Sequence, residues 1–123
     1  MIYEFLKKRK DDLSHIAISY QNNHVSYAML YQNIFTAATQ LKQLGVKEKD
    51  RVLLFLPNSI HFVVYFFAIE LFNATAVLCD IKFEDEVKIV VRDCNIRTII
   101  TDNFSVDKLY GKNLHNLTII NLD

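Results

Sequence analysis

The sequence predicts an α/β fold: a mostly parallel sheet with flanking helices, preceded by a short helix and a β-hairpin. Three observations carry it. Apolar runs of strand length occur at 51–56, 74–79, 98–101 and 117–121. Between them lie segments whose apolar residues recur at three- and four-residue steps. The connections are short, so each strand is expected to return beside its neighbour through a right-handed crossover. The 123 residues are 51% apolar and include nine Phe and six Tyr, enough to fill one core, so residues 1–123 are read as a single α/β unit.

Residues 2–9 read as the short leading helix. Ile16–Tyr20 and His24–Tyr27 flank Gln21-Asn22-Asn23. Asparagine tolerates the left-handed conformation of a tight turn, so this is a hairpin. Ser26 then caps the best-marked helix, whose stripe is Tyr27, Leu30, Ile34, Ala37, Leu41 and Leu44, with Gly45 at the C-terminal stop. Arg51–Leu56 is a continuous apolar strand of the kind buried on both faces. Pro57 ends it, and Asn58 or Ser59 caps a helix over Ser59–Phe72 that is apolar nearly all round. A strand at Ala74–Cys79 follows, then a helix at Glu84–Asn95 with Val87, Val90, Val91 and Cys94 facing inward. Thr98–Thr101 is a third buried strand. A short helix at Ser105–Tyr110, closed by Gly111, precedes a last strand at Leu117–Asn121.

The stretch Leu53–Asp80 is the most apolar in the chain and raises the question of a membrane span. A span needs about 20 unbroken apolar residues. Pro57-Asn58-Ser59, His61, Glu70 and Asn73 interrupt this one, so it reads as buried elements and no membrane span is expected. Fourteen basic and fourteen acidic side chains cancel, which removes the electrostatic case for nucleic acid. The run Lys7-Lys8-Arg9-Lys10-Asp11-Asp12 reads as a solvated helix end. Cys79 and Cys94 lack CxxC spacing and sit in apolar surroundings, which suits reduced thiols in a cytoplasmic protein. The N-terminus shows no secretory signal.

No catalytic, cofactor-binding or metal-binding residue is assigned. A phosphate cradle needs glycines so that backbone N–H groups can approach the anion. The only two, Gly45 and Gly111, fit helix ends. His15, His24, His61 and His115 have no i,i+4 His or Cys partner. Ser59 and His61 point to different helix faces, and the serine has a capping role. Asp80 and Asp102 each follow a strand, where open sheets place ligand contacts, but such acids are also ordinary helix caps. A phospho-acceptor receiver domain would want an acidic pair after its first strand and a lysine after its last, and neither stands here.

The middle of the chain resembles the N-terminal segment of adenylate-forming enzymes: acyl-CoA synthetases, peptide-synthetase adenylation domains and luciferases. Ser26-Tyr27-x-x-Leu30 is similar to the family's first core motif, Ser/Thr-Tyr-x-Glu-Leu. Leu44-Gly45-Val46, Asp50-Arg51-Val52 and Leu56-Pro57-Asn58-Ser59 follow the family's order and spacing. Leu71–Asp80 stands at its second core motif, and Ile99-Ile100-Thr101-Asp102 ends as its next strand often does. The likeness covers residues 16–102. Met29 replaces the usual Glu, Ala74 the motif glycine, and Cys79 stands near its proline, which marks a divergent member.

The resemblance implies part of a ligase that activates a carboxylate with Mg-ATP, forms an acyl-adenylate, and passes the acyl group to a thiol. The family's phosphate-binding loop, adenine-binding aromatic, ribose-binding Asp and C-terminal catalytic Lys have no counterpart here. The chain is therefore expected to be an N-terminal fragment with a scaffold role, inactive alone. ATP and Mg are expected only for the full enzyme. Its expected partners are the remainder of the adenylation domain and, through exposed apolar surface, other copies of itself. The competing readings are a stand-alone α/β interaction module, half of a split adenylating enzyme, or an unrelated flavodoxin-like binder on fold analogy alone.

Overall fold

A computed structural model describes residues 14–123, so the expected helix at 2–9 lies outside the described residues. Strands β1 (Ile16–Tyr20) and β2 (Asn23–Ser26) form an antiparallel hairpin. Its turn is tighter than expected: Gln21 (φ 48°) and Asn22 (φ 67°) are the two left-handed residues, and Asn23 already pairs with Tyr20. Two consecutive positive φ values match the right-handed twist of the flanking strands.

Helix α1 (Tyr27–Gln43) begins where Ser26 Oγ accepts the Met29 N–H at 3.2 Å. Leu30, Ile34, Ala37, Ala38 and Leu41 are its buried stripe. Leu44, expected inside, is the C-cap and is exposed. The chain turns there: Gly45 (φ 97°) donates its N–H to the Lys42 carbonyl and Val46 to that of Leu41. This pair of hydrogen bonds across a left-handed residue ends the helix and buries Val46 in place of Leu44.

The same device closes two more helices. Helix α2 (Ile60–Leu71), capped by Ser59 Oγ on the Phe62 N–H, ends with Asn73 at φ 55° and the Ala74 N–H on the Ile69 carbonyl. Helix α3 (Val87–Asp93) ends with Asn95 at φ 54° and the Ile96 N–H on the Val91 carbonyl. A chain with so few glycines uses asparagine, the next residue to tolerate that region.

Strands β3 (Arg51–Leu54), β4 (Thr75–Leu78), β5 (Thr98–Thr101) and β6 (Thr118–Asn121) form a wholly parallel sheet in the order β4-β3-β5-β6. The first strand is central. The chain steps to one side for β4, then returns past β3 for β5 and β6. Helices α1 and α2 and the hairpin pack on one face with Val52, Leu54, Leu56 and Ile100. Val87 of α3 and Leu109 pack on the other with Leu53, Phe55 and Ile99.

Three boundaries differ from the sequence reading. The ladder of β3 ends at Leu54, although Phe55 still donates to the Ile100 carbonyl at 2.9 Å. The helix expected over Glu84–Asn95 divides into a 3-10 turn (Ile81–Glu86) and α3. Asp80 caps that turn early and Phe83 is non-helical (φ −107°, ψ 43°), so the chain kinks before α3. The helix expected at Ser105–Tyr110 starts sooner, as α4 (Asn103–Val106), and runs into a 3-10 turn at Asp107–Leu109. Of its residues, α2 buries only Val64, Ala68 and Ile69 fully; its aromatic residues stay half-buried.

Two stability predictions follow from this packing. Phe55→Ala removes a fully buried central side chain and is expected to cost about 3–5 kcal/mol in urea denaturation. Asn73→Ala forces an alanine into the left-handed region and is expected to cost about 1 kcal/mol, whereas Asn73→Gly leaves stability unchanged or higher.

Candidate functional site

In an open α/β sheet, ligands bind beyond the carboxyl ends of the strands, where the chain reverses its direction of travel. Here that edge comprises Phe55–Ser59 after β3, Cys79-Asp80 after β4, Thr101-Asp102 at β5, and Leu122-Asp123 after β6. The reversal lies between β3 and β5.

The polar groups on this edge are engaged in holding backbone. Asp80 Oδ1 accepts the Lys82 N–H at 2.9 Å, and Asp102 Oδ1 accepts the Ser105 N–H at 2.8 Å. Both acids therefore act as helix caps. Asp123 Oδ2 accepts the Asn103 N–H at 2.7 Å, and Asn121 Nδ2 donates to Asn103 Oδ1 at 2.9 Å, tying the end of β6 to the start of α4. Ser59 is likewise occupied by its cap, and His61 is exposed on the first turn of α2. The structure does not assemble Ser59 and His61 into a nucleophile and base.

The other histidines are dispersed. His24 Nδ1 lies 2.9 Å from Ser19 Oγ on the hairpin, His15 accepts the Tyr27 N–H through its carbonyl, and His115 borders a groove beside α3. Among the described residues, no three His, Cys, Asp or Glu side chains converge to hold a metal ion.

A cleft of about 350 Å³ opens at the carboxyl ends of β3 and β4, between Leu56-Pro57-Asn58, Phe62 and Leu78–Lys82. Cys79 lines it, with Sγ 3.7 Å from the carbonyls of Asp80 and Phe83. Burial, and then the nearby Glu86 and Asp80 carboxylates, push its thiol above the ordinary value. Cys79 is thus protected from ionisation, the opposite of a reactive cysteine. On the other face, burial raises the Tyr65 phenol, which donates to Gln40 Oε1 at 2.8 Å.

One feature escaped the sequence reading. Thr101 and Ser105 are fully buried at the end of β5, and neither hydroxyl has a protein hydrogen-bond partner. By strand alternation Thr101 shares the sheet face of Ile99. A strand reading treats threonine as an ordinary β-former, so nothing in Thr98–Thr101 marks its hydroxyl as unsatisfied.

The carboxyl edge does not offer the glycine-rich backbone cradle that a nucleotide's phosphates need. The strand-end acids are spent on caps, and Gly45 and Gly111 occupy left-handed turn positions (φ 97° and 78°) away from any strand-to-helix phosphate loop. What the sheet defines is the scaffold class of an open, parallel α/β protein.

Comparison with known proteins places that scaffold. The AMP-binding enzyme family model matches residues 5–121, and the chain belongs to this family of adenylate-forming enzymes, matching its N-terminal segment. It is 30% identical over 105 residues to 4-coumarate:CoA ligase 1 of Petunia hybrida, covering 83% of this chain and 19% of that protein. It is 46% identical over 55 residues to a salicyl-AMP ligase / salicyl-S-ArCP synthetase of Mycobacterium tuberculosis, covering 45% of this chain and 10% of that one. Among solved structures, O-succinylbenzoate coenzyme A synthetase of Bacillus subtilis in complex with AMP superposes with a TM-score of 0.85 at 25% identity, over 95% of this chain and 30% of that one. Coronafacic acid ligase from Pectobacterium brasiliense shares the fold, with a TM-score of 0.91 at 21% identity, over 98% of this chain and 25% of that one. The chain therefore spans a third or less of the length of each of these relatives.

The raised Cys79 thiol gives a pH prediction. Alkylation by iodoacetamide at neutral pH is expected to be slower than for a free thiol, and to accelerate only above the ordinary thiol range. The unfolded thiol loses its proton first, so this group's contribution to stability is full below the unfolded pKa and declines as pH rises towards the folded one. Mass-spectrometric labelling rates for Cys79 across pH check the first point, and urea midpoints of the parent against Cys79→Ala check the second.

Proposed function

We propose that this chain is the N-terminal portion of an ATP-dependent carboxylate-activating ligase, of acid–CoA ligase or adenylation-domain type, and that it serves as scaffold. Residues 1–123 are one subdomain of a cytoplasmic enzyme whose ATP and Mg are bound elsewhere in the full protein. The observation that carries this reading is the state of the carboxyl edge. The family's fold is present, yet Ser59, Asp80, Asp102 and Asp123 are each committed to backbone N–H groups. Transition-state charge on phosphoryl and acyl oxygens needs cations and free dipoles aimed at it, and these groups supply neither. O-succinylbenzoate coenzyme A synthetase, a structural relative, has been solved with ATP and magnesium, which supports the same cofactors for the full enzyme.

The surface supports a partner within the same enzyme. Leu78, at the exposed end of edge strand β4, is 53% exposed, and Phe104 is 69% exposed. On the α1–α2 face, a cleft of about 430 Å³ is bordered by Leu41, Tyr65, Ile120 and Leu122, where β6 is incompletely covered. The remainder of the adenylation domain would cover these groups. In its absence they favour contact between copies. Among the described residues, no helix is long and apolar enough to cross a membrane.

The isolated chain is expected to show no ATP–pyrophosphate exchange with any carboxylic acid; exchange would overturn the scaffold role. Reading the gene beyond the Asp123 codon tests the ligase assignment. A Ser/Thr/Gly-rich loop followed by Lys supports it, and a stop codon favours an interaction module or a split enzyme. Light scattering at rising concentration is expected to show self-association, together with binding of a hydrophobic dye. A monodisperse monomer that binds no dye would remove the covering-surface argument.

A further inference from the structure

The amino ends of the strands carry a feature the ligase reading does not use. Val52 of β3 pairs in register with Thr98 of β5. One residue earlier, Arg51 stands beside Arg97. Leu53 and Ile99, two residues on, both face the α3 side, so the two arginines emerge on that side too. Adjacent strands are about 4.8 Å apart, and like charges directly opposite one another are destabilising. Lys49 completes the group. With Asp50 and Asn95, the three cations border a cleft of about 300 Å³.

The packing explains only one of the three. Arg51 Nη1 donates to the Cys94 carbonyl at 3.1 Å, at the C-cap of α3, where a cation meets the negative end of the helix. That bond fixes the guanidinium and leaves its other N–H groups available. Among the described residues, neither the Arg97 guanidinium nor the Lys49 ammonium has a hydrogen-bond or ion-pair partner. The one carboxylate bordering the cleft, Asp50, is engaged with backbone: its Oδ2 accepts the Lys47 N–H at 2.8 Å. Lys49 is held at φ 69° by its own N–H on the Asn73 carbonyl. A lysine in that region costs about 1–2 kcal/mol relative to glycine.

We propose that Arg51, Arg97 and Lys49 form a binding site for a phosphate-class oxyanion at the amino edge of the sheet, opposite the edge where the family's fold places its ligand crevice. Two guanidinium groups side by side present parallel N–H donors to an oxyanion, and the lysine adds a point charge. The anion offsets the repulsion between Arg51 and Arg97. A cleft bordered by three cations and one carboxylate also carries an excess of positive charge that concentrates anions locally. The site involves no strand-end acid and is independent of whether the chain belongs to an active ligase.

The test titrates the 123-residue chain with inorganic phosphate, pyrophosphate and AMP separately, at constant ionic strength maintained with chloride. Amide NMR shifts and thermal midpoints are the readouts. Saturable shifts centred on Lys49, Arg51, Asn95 and Arg97 are expected, with a rise in the thermal midpoint. Tighter binding of pyrophosphate or of AMP then tells a free oxyanion from a nucleotide phosphate. Arg97→Gln is expected to weaken binding about tenfold. Without anion it should be at least as stable as the parent, because a repulsion has gone. Lys49→Gln should weaken binding in the same direction, and Lys82→Gln, at the other edge, should leave the titration unchanged. Unsaturable shifts, equal shifts in Arg97→Gln, or an Arg97→Gln chain less stable than the parent in anion-free buffer would each overturn the site.

Discussion

Strand β3 is hydrogen-bonded on both sides, to β4 in one direction and to β5 in the other, and covered by helices on both faces. Val52, Leu53, Leu54 and Phe55 are completely buried. Each such side chain contributes about 1.5–3 kcal/mol on leaving water, so these four residues form the densest part of the core. The rest of the molecule is arranged around keeping that strand dry. Because β3 comes first and sits in the middle, the chain must go out on one side for β4 and return on the other for β5. Helices α1 and α2 therefore cover one face, and α3 with the turns around α4 covers the other.

Repeated use of one helix ending makes that path compact. After α1, α2 and α3 the chain passes through Gly45, Asn73 and Asn95 in the left-handed region, and the next residue is Val46, Ala74 or Ile96. The reversal brings that apolar residue back towards the core. It also delivers the backbone to the amino end of a strand within a few residues. The connection between α2 and β4 shows the coupling: Asn73 accepts the Lys49 N–H through its carbonyl, and Thr75 donates to that of Asp50. Helix termination and strand pairing are thus one structural event, and short loops follow from it.

Local helix chemistry also explains why the carboxyl edge is chemically quiet. Every helix or turn that leaves a strand there begins with orphan N–H groups that need an acceptor. Ser59, Asp80 and Asp102 provide it, and Asp123 reaches across to Asn103. An acid that caps a helix has one oxygen committed and its orientation fixed by the backbone it holds. The amino edge has the opposite condition. Its cations cluster beyond what one helix C-terminus can absorb, and two of the three keep their donors free.

The alternation of strands and helices, the capping by Ser26 and Ser59, the stop at Gly45 and the order of family motifs were all legible in the residues. The elements, caps and stop rest on local periodicity, on a side chain bonding to backbone within three residues, or on a glycine in the left-handed region, and the motif order rests on the family resemblance. Asp80 and Asp102 were ambiguous between cap and ligand, because the same residue type serves both, and only the bound N–H decides. The kink at Phe83 and the early start of α4 at Asn103 were not legible, since they depend on where Asp80 and Asp102 are held by the sheet. The orphan hydroxyls of Thr101 and Ser105 required the tertiary burial of those residues, and the Arg51–Arg97 pair required the register of β3 on β5. Local sequence determined the order of the elements and the ends set by Ser26, Ser59 and Gly45. Tertiary structure alone decided which distant side chains meet, because the parallel pairing of β3 with β5 joins residues 46 positions apart, a separation that no periodicity encodes.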